Sequence, residues 1–306
     1  MEEREFYEDT ENEIKPPEFM MLKYKNELNG IIGLAKCTPE VQKVFFSALA
    51  ELQAKYLTRD SQGRGVVVIP EGEKASVFIP FDRWREISNL DRRNTPAEFQ
   101  RKYLEMGIEI HSLWARIERD KTIDIVPALM KYSIERDLSG VTITFNSEYI
   151  SWISEVLKEF TLFNLKEFTE LRSKHSMALY RMLKQYQSNG WYKVSIEELR
   201  LILGTDPEKY TTAQFMQKVV QKAIADCEKY FGKINLERYY SKKGGRRLVS
   251  VKFSYQRVRD KDLSEANSYD PERNKKPKEN KKKAATEPAP ENNQPEEGAE
   301  ANHFEW

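Results

Sequence analysis

Between Leu171 and Tyr255 the apolar residues switch repeatedly between helical and strand spacing, and most of the switches carry a local stop signal. Leu179, Met182, Leu183 and Tyr186 share one side of a helix predicted over Leu171–Tyr186. Asn189-Gly190 is a turn signal, and Trp191-Tyr192-Lys193-Val194 reads as a short strand. Ser195 is placed to cap the next helix, with Glu198 three residues on as its capping-box partner. Leu199, Ile202 and Leu203 form that helix's apolar side, and Gly204 is a natural stop. After a turn over Thr205–Tyr210 a long helix is predicted over Thr211–Tyr230. Two strands, Ile234–Tyr240 and Leu248–Tyr255, then flank Ser241–Arg247. Helix, strand, helix, turn, helix, hairpin is the order of a winged-helix domain, a helix-turn-helix with a β-hairpin wing.

At 306 residues the chain has room for two ordinary domains with their own cores. The first is expected over residues 21–155, the second over 156–259. Thr38-Pro39-Glu40 is a strong helix start: a cap candidate, proline at the first helical position, and an acid in the first turn. Val41, Phe45, Leu49 and Leu52 follow at helical spacing. Val66–Ile69 and Val77–Phe81, separated by Pro70-Glu71-Gly72-Glu73, suggest a hairpin. A short helix is expected near Phe81–Leu90. Another begins at Thr95-Pro96 and carries Phe99, Tyr103 and Leu104 inward. Ile108 to Phe145 alternates as two or three strands, and Glu148–Phe168 reads as one or two amphipathic helices leading to the second domain. Residues 1–20 lack an apolar period and read as a flexible acidic arm. Residues 260–306, rich in Lys, Pro, Glu and Asn, read as a disordered charged tail.

Charge is distributed unevenly. Residues 160–259 carry 20 Lys/Arg against 9 Asp/Glu, whereas residues 1–159 carry 22 against 28 and residues 260–306 carry 8 against 12. A compact basic segment is the electrostatic footprint of a nucleic-acid binder. On a helical wheel Phe215, Met216, Val219, Val220, Ala223 and Cys227 fall in one arc of the long helix. Gln214, Gln217, Lys218, Gln221 and Lys222 fall opposite, with Thr211 at the edge, and no acid occurs between Thr211 and Ala225. Amides that bond adenine and lysines for guanine or phosphate are what major-groove reading requires. Lys242, Lys243, Arg246 and Arg247 surround two glycines at the hairpin tip, where they suit a DNA backbone or a minor groove. Ser173 and Lys174, with His175 and Ser176, are weaker candidates for phosphate contacts.

Signals for catalysis are missing from the sequence. There is no GxxxxGK[ST] phosphate loop, and His111, His175 and His303 are too scattered for a metal-binding pair. A nicking enzyme would need such a pair beside its tyrosine, so neither catalytic residues, metal nor cofactor are expected. Cys37 and Cys227 lie far apart among apolar residues, as free thiols of a reducing cytoplasm do. No run approaches the roughly 20 apolar residues of a membrane span. The start, MEEREFYEDTENE, is acidic where an export signal is basic and then apolar. A bacterial cytoplasmic location, associated with the nucleoid or plasmid, is expected.

The run LRSKHSMALYRMLKQYQSNGWYKVSIEELRLILG, with Tyr210, Phe215, Val219, Ala223 and the closing LVSVKFSY, resembles the Rep_3 family of iteron-binding plasmid replication initiators. Leu171-Arg172-Ser173, Leu179-Tyr180, the Trp191 turn and Leu203-Gly204 carry the similarity. Lys25-Asn26-Glu27-Leu28 and Gly140–Asn146 extend it more loosely, so that it covers roughly residues 22–256. The resemblance implies an α+β chain with two winged-helix domains in tandem, related as a pseudo-repeat. It further implies double-stranded origin repeats as ligand and a homodimer in equilibrium with monomer. Opening of the origin would recruit the host replication initiator and replicative helicase, and dimers would repress the chain's own gene. The second domain would make the main base contacts through Thr211–Tyr230 and the Lys242–Arg247 wing. The first would dimerise and touch DNA through the Thr95–Tyr103 helix, with Gln100, Arg101 and Lys102 available. A winged-helix transcriptional repressor without a replication role is the alternative. The acidic arm and tail are expected to compete with phosphates for the basic domain. Deleting residues 260–306 should therefore raise affinity for random-sequence duplex in a filter-binding titration, and unchanged affinity would remove that role.

Overall fold

A computed structural model describes residues 21–59, 61, 65–88, 96–118, 121–137, 139–149, 153, 160–241 and 247–258. The expected arm, the expected tail and the hairpin tip from Lys242 to Arg246 lie outside these residues. In chain order the elements are β1 (Met21–Lys25), α1 (Pro39–Tyr56), β2 (Leu57–Arg59), β3 (Gly65–Val67), β4 (Ser76–Pro80), α2 (Phe81–Ser88) and α3 (Pro96–His111). Then come β5 (Trp114–Glu118), β6 (Ile123–Pro127), β7 (Leu129–Ile134), β8 (Gly140–Phe145), β9 (Phe160–Asn164), α4 (Leu165–Glu170) and α5 (Lys174–Gln185). The chain finishes with β10 (Trp191–Ser195), α6 (Ile196–Ile202), a long helix α7, β11 (Asn235–Tyr240) and β12 (Leu248–Ser254). Helix α7 runs as Thr212–Phe215, a π-turn at Met216–Val220, and Gln221–Phe231.

Two winged-helix domains emerge from this order. In the second, α5, β10, α6, α7 and the β11–β12 hairpin follow one another, and the sheet is ordered β10-β12-β11. In the first, α1, β4, α2, α3 and the β7–β8 hairpin repeat the plan, with the sheet ordered β4-β8-β7. The order first, last, middle is common to both, which is the pseudo-repeat the resemblance implies. The first domain adds the β2–β3 ribbon and, between α3 and β7, the β5–β6 ribbon.

Several local expectations are corrected. Strands β3 and β4 do not form a hairpin: β3 pairs with β2, and β4 pairs with β8, more than sixty residues away. Helix α3 continues to His111, and four strands rather than two or three follow it before Asn146. Tyr103 is buried as expected, but Leu104 is 54% exposed. Phe99 has a backbone placed in α3, and its side chain lies outside the described residues. Within Glu148–Phe168, predicted as helix, Phe160–Asn164 is a strand that pairs antiparallel with Met21–Lys25. The pairing joins the start of the first domain to the segment that leads into the second. Helix α5 begins at Lys174, three residues later than its apolar period suggested.

Caps are placed well but bonded differently. Thr38 holds an extended cap conformation with Pro39 first in α1, yet its side chain does not cap: its Oγ1 donates to Glu109 Oε2 at 3.1 Å. Ser195 Oγ accepts from Glu198 N at 3.1 Å, while the Glu198 carboxylate accepts from the Tyr192 hydroxyl at 3.2 Å, so that capping box is half made. Thr211 and Gln214 form a complete one.

One hydrophobic core runs through both domains. Ring contacts trace it from Phe145 to Phe45, Phe46, Phe168, Tyr180, Phe231 and Tyr255, with centroids 5.0–6.1 Å apart. Each such contact adds roughly 0.5–1.5 kcal/mol beyond area burial. Arg181 is buried at the junction, with its guanidinium 5.2 Å from the centre of the Phe46 ring. Its Nη1 donates to Asn29 Oδ1 at 3.2 Å, and Asn29 Nδ2 donates to Thr161 Oγ1 and Gln185 Oε1, each at 3.0 Å. Cys37 and Cys227 are free and buried, and burial pushes the Cys37 thiol up to about 12.

Gly204 closes α6 in the left-handed conformation, φ +60°. Its N–H bonds Leu201 O and the Thr205 N–H bonds Arg200 O, the paired bonds of a Schellman ending. It also lies against the first domain: a Cβ there would sit 2.1 Å from Ala35 O. Gly204→Ala should therefore cost more than about 2 kcal/mol, left-handed strain plus displacement of a backbone carbonyl. Gly72→Ala, at φ +83° with open space around it, should cost only about 1 kcal/mol. Urea unfolding of both variants checks the ranking, and equal losses would show that the Ala35 contact is unimportant.

Candidate nucleic-acid interface

Helix α7 projects from the second domain because its apolar stripe packs on α5. Cys227 lies against Ser176 O at 3.5 Å, Ser176 Oγ donates to Asp226 Oδ2 at 2.6 Å, and Tyr180 meets Phe231 edge-on. Its entry is set by Arg200, which is buried, donates to Tyr210 O at 2.9 Å and lies over the Phe215 ring at 4.5 Å. These contacts hold the turn between α6 and α7, the turn of a helix-turn-helix.

The opposite face of α7 is exposed. Gln217, Lys218, Gln221 and Lys222 all face solvent. Thr211 and Gln214 are exposed too, but they are occupied: Gln214 Oε1 accepts from Thr211 N at 3.1 Å, and Thr211 Oγ1 accepts from Gln214 N at 3.3 Å. Between this face and the wing lies a cleft of about 530 Å³. Gln217 and Gln221 wall one side, Arg238, Tyr240 and Arg247 the other, and buried Met216 forms part of the floor.

Arg238 and Tyr240 were missed in the sequence, although strand alternation contains the signal. Leu236, Arg238 and Tyr240 share the face of β11 that is opposite Phe253 and Val251, both fully buried. An arginine on the inward face of a half-buried strand calls for a partner, and here the face runs out of core and into the cleft. Arg247 is the one tip residue among those described. It donates to Glu197 at 3.1 Å, with both side chains largely exposed, so the pair is weak and yields readily to a stronger anion. Lys242, Lys243 and Arg246 lie outside the described residues.

Ser173 and Lys174 are placed elsewhere. Ser173 caps α5, accepting from His175 N at 3.3 Å, and Lys174 Nζ donates to Lys36 O at 3.3 Å, across to the first domain. His175 Nδ1 lies 2.6 Å from Leu203 O, and burial holds its imidazole below the ordinary range, so it is neutral at pH 7. In the first domain Gln100 and Arg101 are exposed on α3 and Lys102 is half-buried. Arg101 pairs with Glu105 at 3.9 Å. The cleft between α3 and its own hairpin, about 550 Å³, corresponds in position to the one in the second domain, but Leu104, Ile108, Tyr132 and Ile134 line it beside Gln100, His111, Glu135 and Arg136. The three acids of α3, Glu98, Glu105 and Glu109, contrast with the acid-free stretch of α7.

Among the described residues no helix is long and apolar enough to cross a membrane, and no three His, Cys, Asp or Glu side chains converge as a metal site would require.

The comparisons with known proteins agree with this architecture. A replication protein of Bifidobacterium longum (strain NCC 2705), described as a probable Rep, is 25% identical over 190 residues, 62% of this chain and 63% of that protein. The chain thus matches rather less than two thirds of the relative's length. The crystal structure of the Pi initiator protein in complex with iteron DNA superposes with a TM-score of 0.57 and 20% identity, over 78% of this chain and 97% of that one, which shows a common fold. Residues 21–184 match the family model described as initiator replication protein, WH1, and residues 195–255 the one described as initiator Rep protein, WH2. With both of its winged-helix domains accounted for, the chain belongs to the Rep_3 family of replication initiator proteins.

Proposed function

We propose that this protein initiates plasmid replication by binding tandem repeats in origin duplex DNA, through the second winged-helix domain and without catalysing a reaction. The observation that carries the reading is the cleft between α7 and the wing, walled by Gln217 and Gln221 on one side and Arg238 and Arg247 on the other. Amides supply hydrogen-bond pairs for base edges, and the flanking cations supply phosphate contacts that fix register. The solved relative of like fold is a complex with iteron DNA, which supports the same ligand here. Several molecules on adjacent repeats would strain a neighbouring segment and bring in the host initiator and helicase. The first domain, whose cleft has Leu104 and Ile108 on its helix and an acid, Glu135, on its hairpin, suits the homodimer contact better than base reading. The cytoplasm, at the plasmid, is where such a protein would act.

Purified protein titrated against DNA from around its own gene, footprinted with random competitor, should give regularly spaced protections across tandem repeats. A single protected palindrome would support the repressor reading instead. Lys242→Ala or Arg246→Ala should weaken binding to cognate and random duplex alike and make the slope of log K against log salt shallower, by roughly one unit per lost phosphate contact. Gln217→Ala or Gln221→Ala should cost about 1–3 kcal/mol on the cognate repeat alone. Equal losses on both DNAs would reject α7 as the reading element. Because Glu197 competes with DNA for Arg247, Glu197→Gln should tighten binding at low salt, with the gain fading as salt rises.

A further inference from the structure

Phe215, Val219, Ala223, Cys227 and Phe231 recur at strict intervals of four, and all five are buried, none more than 4% exposed. An uninterrupted α-helix turns about 100° per residue, so each interval of four advances the stripe by about 40°. Over four intervals the drift would reach about 160°, and Phe231 would face almost away from Phe215. Both are buried because the backbone passes through a π-turn at Met216–Val220, where the Gln221 N–H bonds Met216 O. The wider turn accommodates one extra residue and takes back about 100° of that drift. What remains fits within a single apolar stripe.

The exposed face inherits the same alignment. Ala213, Gln217 and Gln221 form one column and Gln214, Lys218 and Lys222 a second, all six exposed. Only the first column lines the cleft, together with Arg238 and Arg247 across from it. Gln214 is engaged in the cap, which leaves Gln217 and Gln221 as the amides directed at the cleft. Four positions apart, they are separated by about one helical turn, roughly 5 Å along the axis, and side-chain reach extends this to two base-pair steps of about 3.4 Å.

We propose that the π-turn is the register device of DNA reading: it holds Gln217 and Gln221 in one line along the wing-side cleft, and Lys218 and Lys222 in a parallel line beside it. The amides then read two A·T pairs two steps apart on one strand, since a glutamine amide matches the N6 and N7 of adenine. The lysines contact phosphates along the groove edge. This inference rests on the reading of α7 as the DNA-contacting helix.

The test compares two full-length variants, a deletion of Lys218 and Lys218→Ala, which lose the same charge. The deletion leaves the buried residues at intervals of three, four, four and four, a pattern that a regular α-helix can bury, and makes the two glutamines neighbours at three. Duplexes selected by the wild-type protein from a randomised library, and their single-base variants, serve as probes, with circular dichroism and melting as the check on folding. The deletion is expected to melt no lower than Lys218→Ala and to bind random duplex equally, yet to lose at least tenfold of the preference for the selected sequence that Lys218→Ala retains. Equal preference in the two variants would overturn the proposal and leave the DNA-binding function standing. Should the deletion unfold, the decision passes to Gln217→Ala and Gln221→Ala. Each should flatten one A·T preference, the two positions lying two steps apart on one strand, and any other spacing overturns the register assignment. A wild-type protein that selects no sequence at all would overturn the function reading itself.

Discussion

Helix α5 is buried on nearly every side, and the rest of the molecule is arranged around that constraint. From Ser176 to Leu183 no side chain is left in solvent, Arg181 included. Burying a guanidinium costs several kcal/mol unless hydrogen bonds and a polarisable surface replace its water. Here the Asn29 amide and the Phe46 ring, both from the first domain, supply part of the replacement, while Nε finds no acceptor among the described residues. Tyr180, one residue earlier, faces the other way, touching Phe231 of α7, and its hydroxyl donates to Glu167 at 2.5 Å. A single helix thus ties the exposed face of α7 to the first domain, with Gly204 against Ala35 as a second point of fixation. Whatever the wing-side cleft binds, its orientation relative to the first domain is set by packing.

The pseudo-repeat shows how little the fold alone decides. Both domains place a helix beside a two-stranded hairpin with the same sheet order, and both leave a cleft of similar size between them. In one domain that cleft presents amides and arginines; in the other, leucine, isoleucines and a tyrosine ring share the lining with Gln100, His111, Glu135 and Arg136. The scaffold is common, and the chemistry is a property of the side chains mounted on it. Gly107 contributes to the difference, since a Cβ there would lie 2.7 Å from the Tyr132 ring, which packs directly on α3.

Much of the second domain was legible residue by residue. Ser195, Gly204 and the alternation of Leu248–Ser254 each specify a local conformation through bonds or steric limits that act within a few residues. The acid-free stretch of α7 was legible for the same reason, because it needs only helical periodicity. The π-turn was present too, as the strict interval of four from Phe215 to Phe231, but a wheel drawn at one fixed angle conceals it. Arg238 went unread because a strand's inward face is recognised from its apolar members, and the point where the core ends along that face depends on how far α7 reaches.

By itself, then, the sequence determined the type and order of most elements, the basic character of the second domain and the composition of the exposed face of α7. These follow from periodicity, capping and charge, all of which are local. Tertiary structure alone decided that β4 pairs with β8 and not β3, that Phe160–Asn164 is a strand against Met21–Lys25, and that Lys174 serves the domain junction. It also decided that Leu104 and Ile108 line a cleft where their counterparts in the second domain are polar. The physical reason is the same in each case. A strand's hydrogen bonds and a side chain's burial are satisfied by groups far away in the chain, and local pattern carries no information about which distant surface arrives.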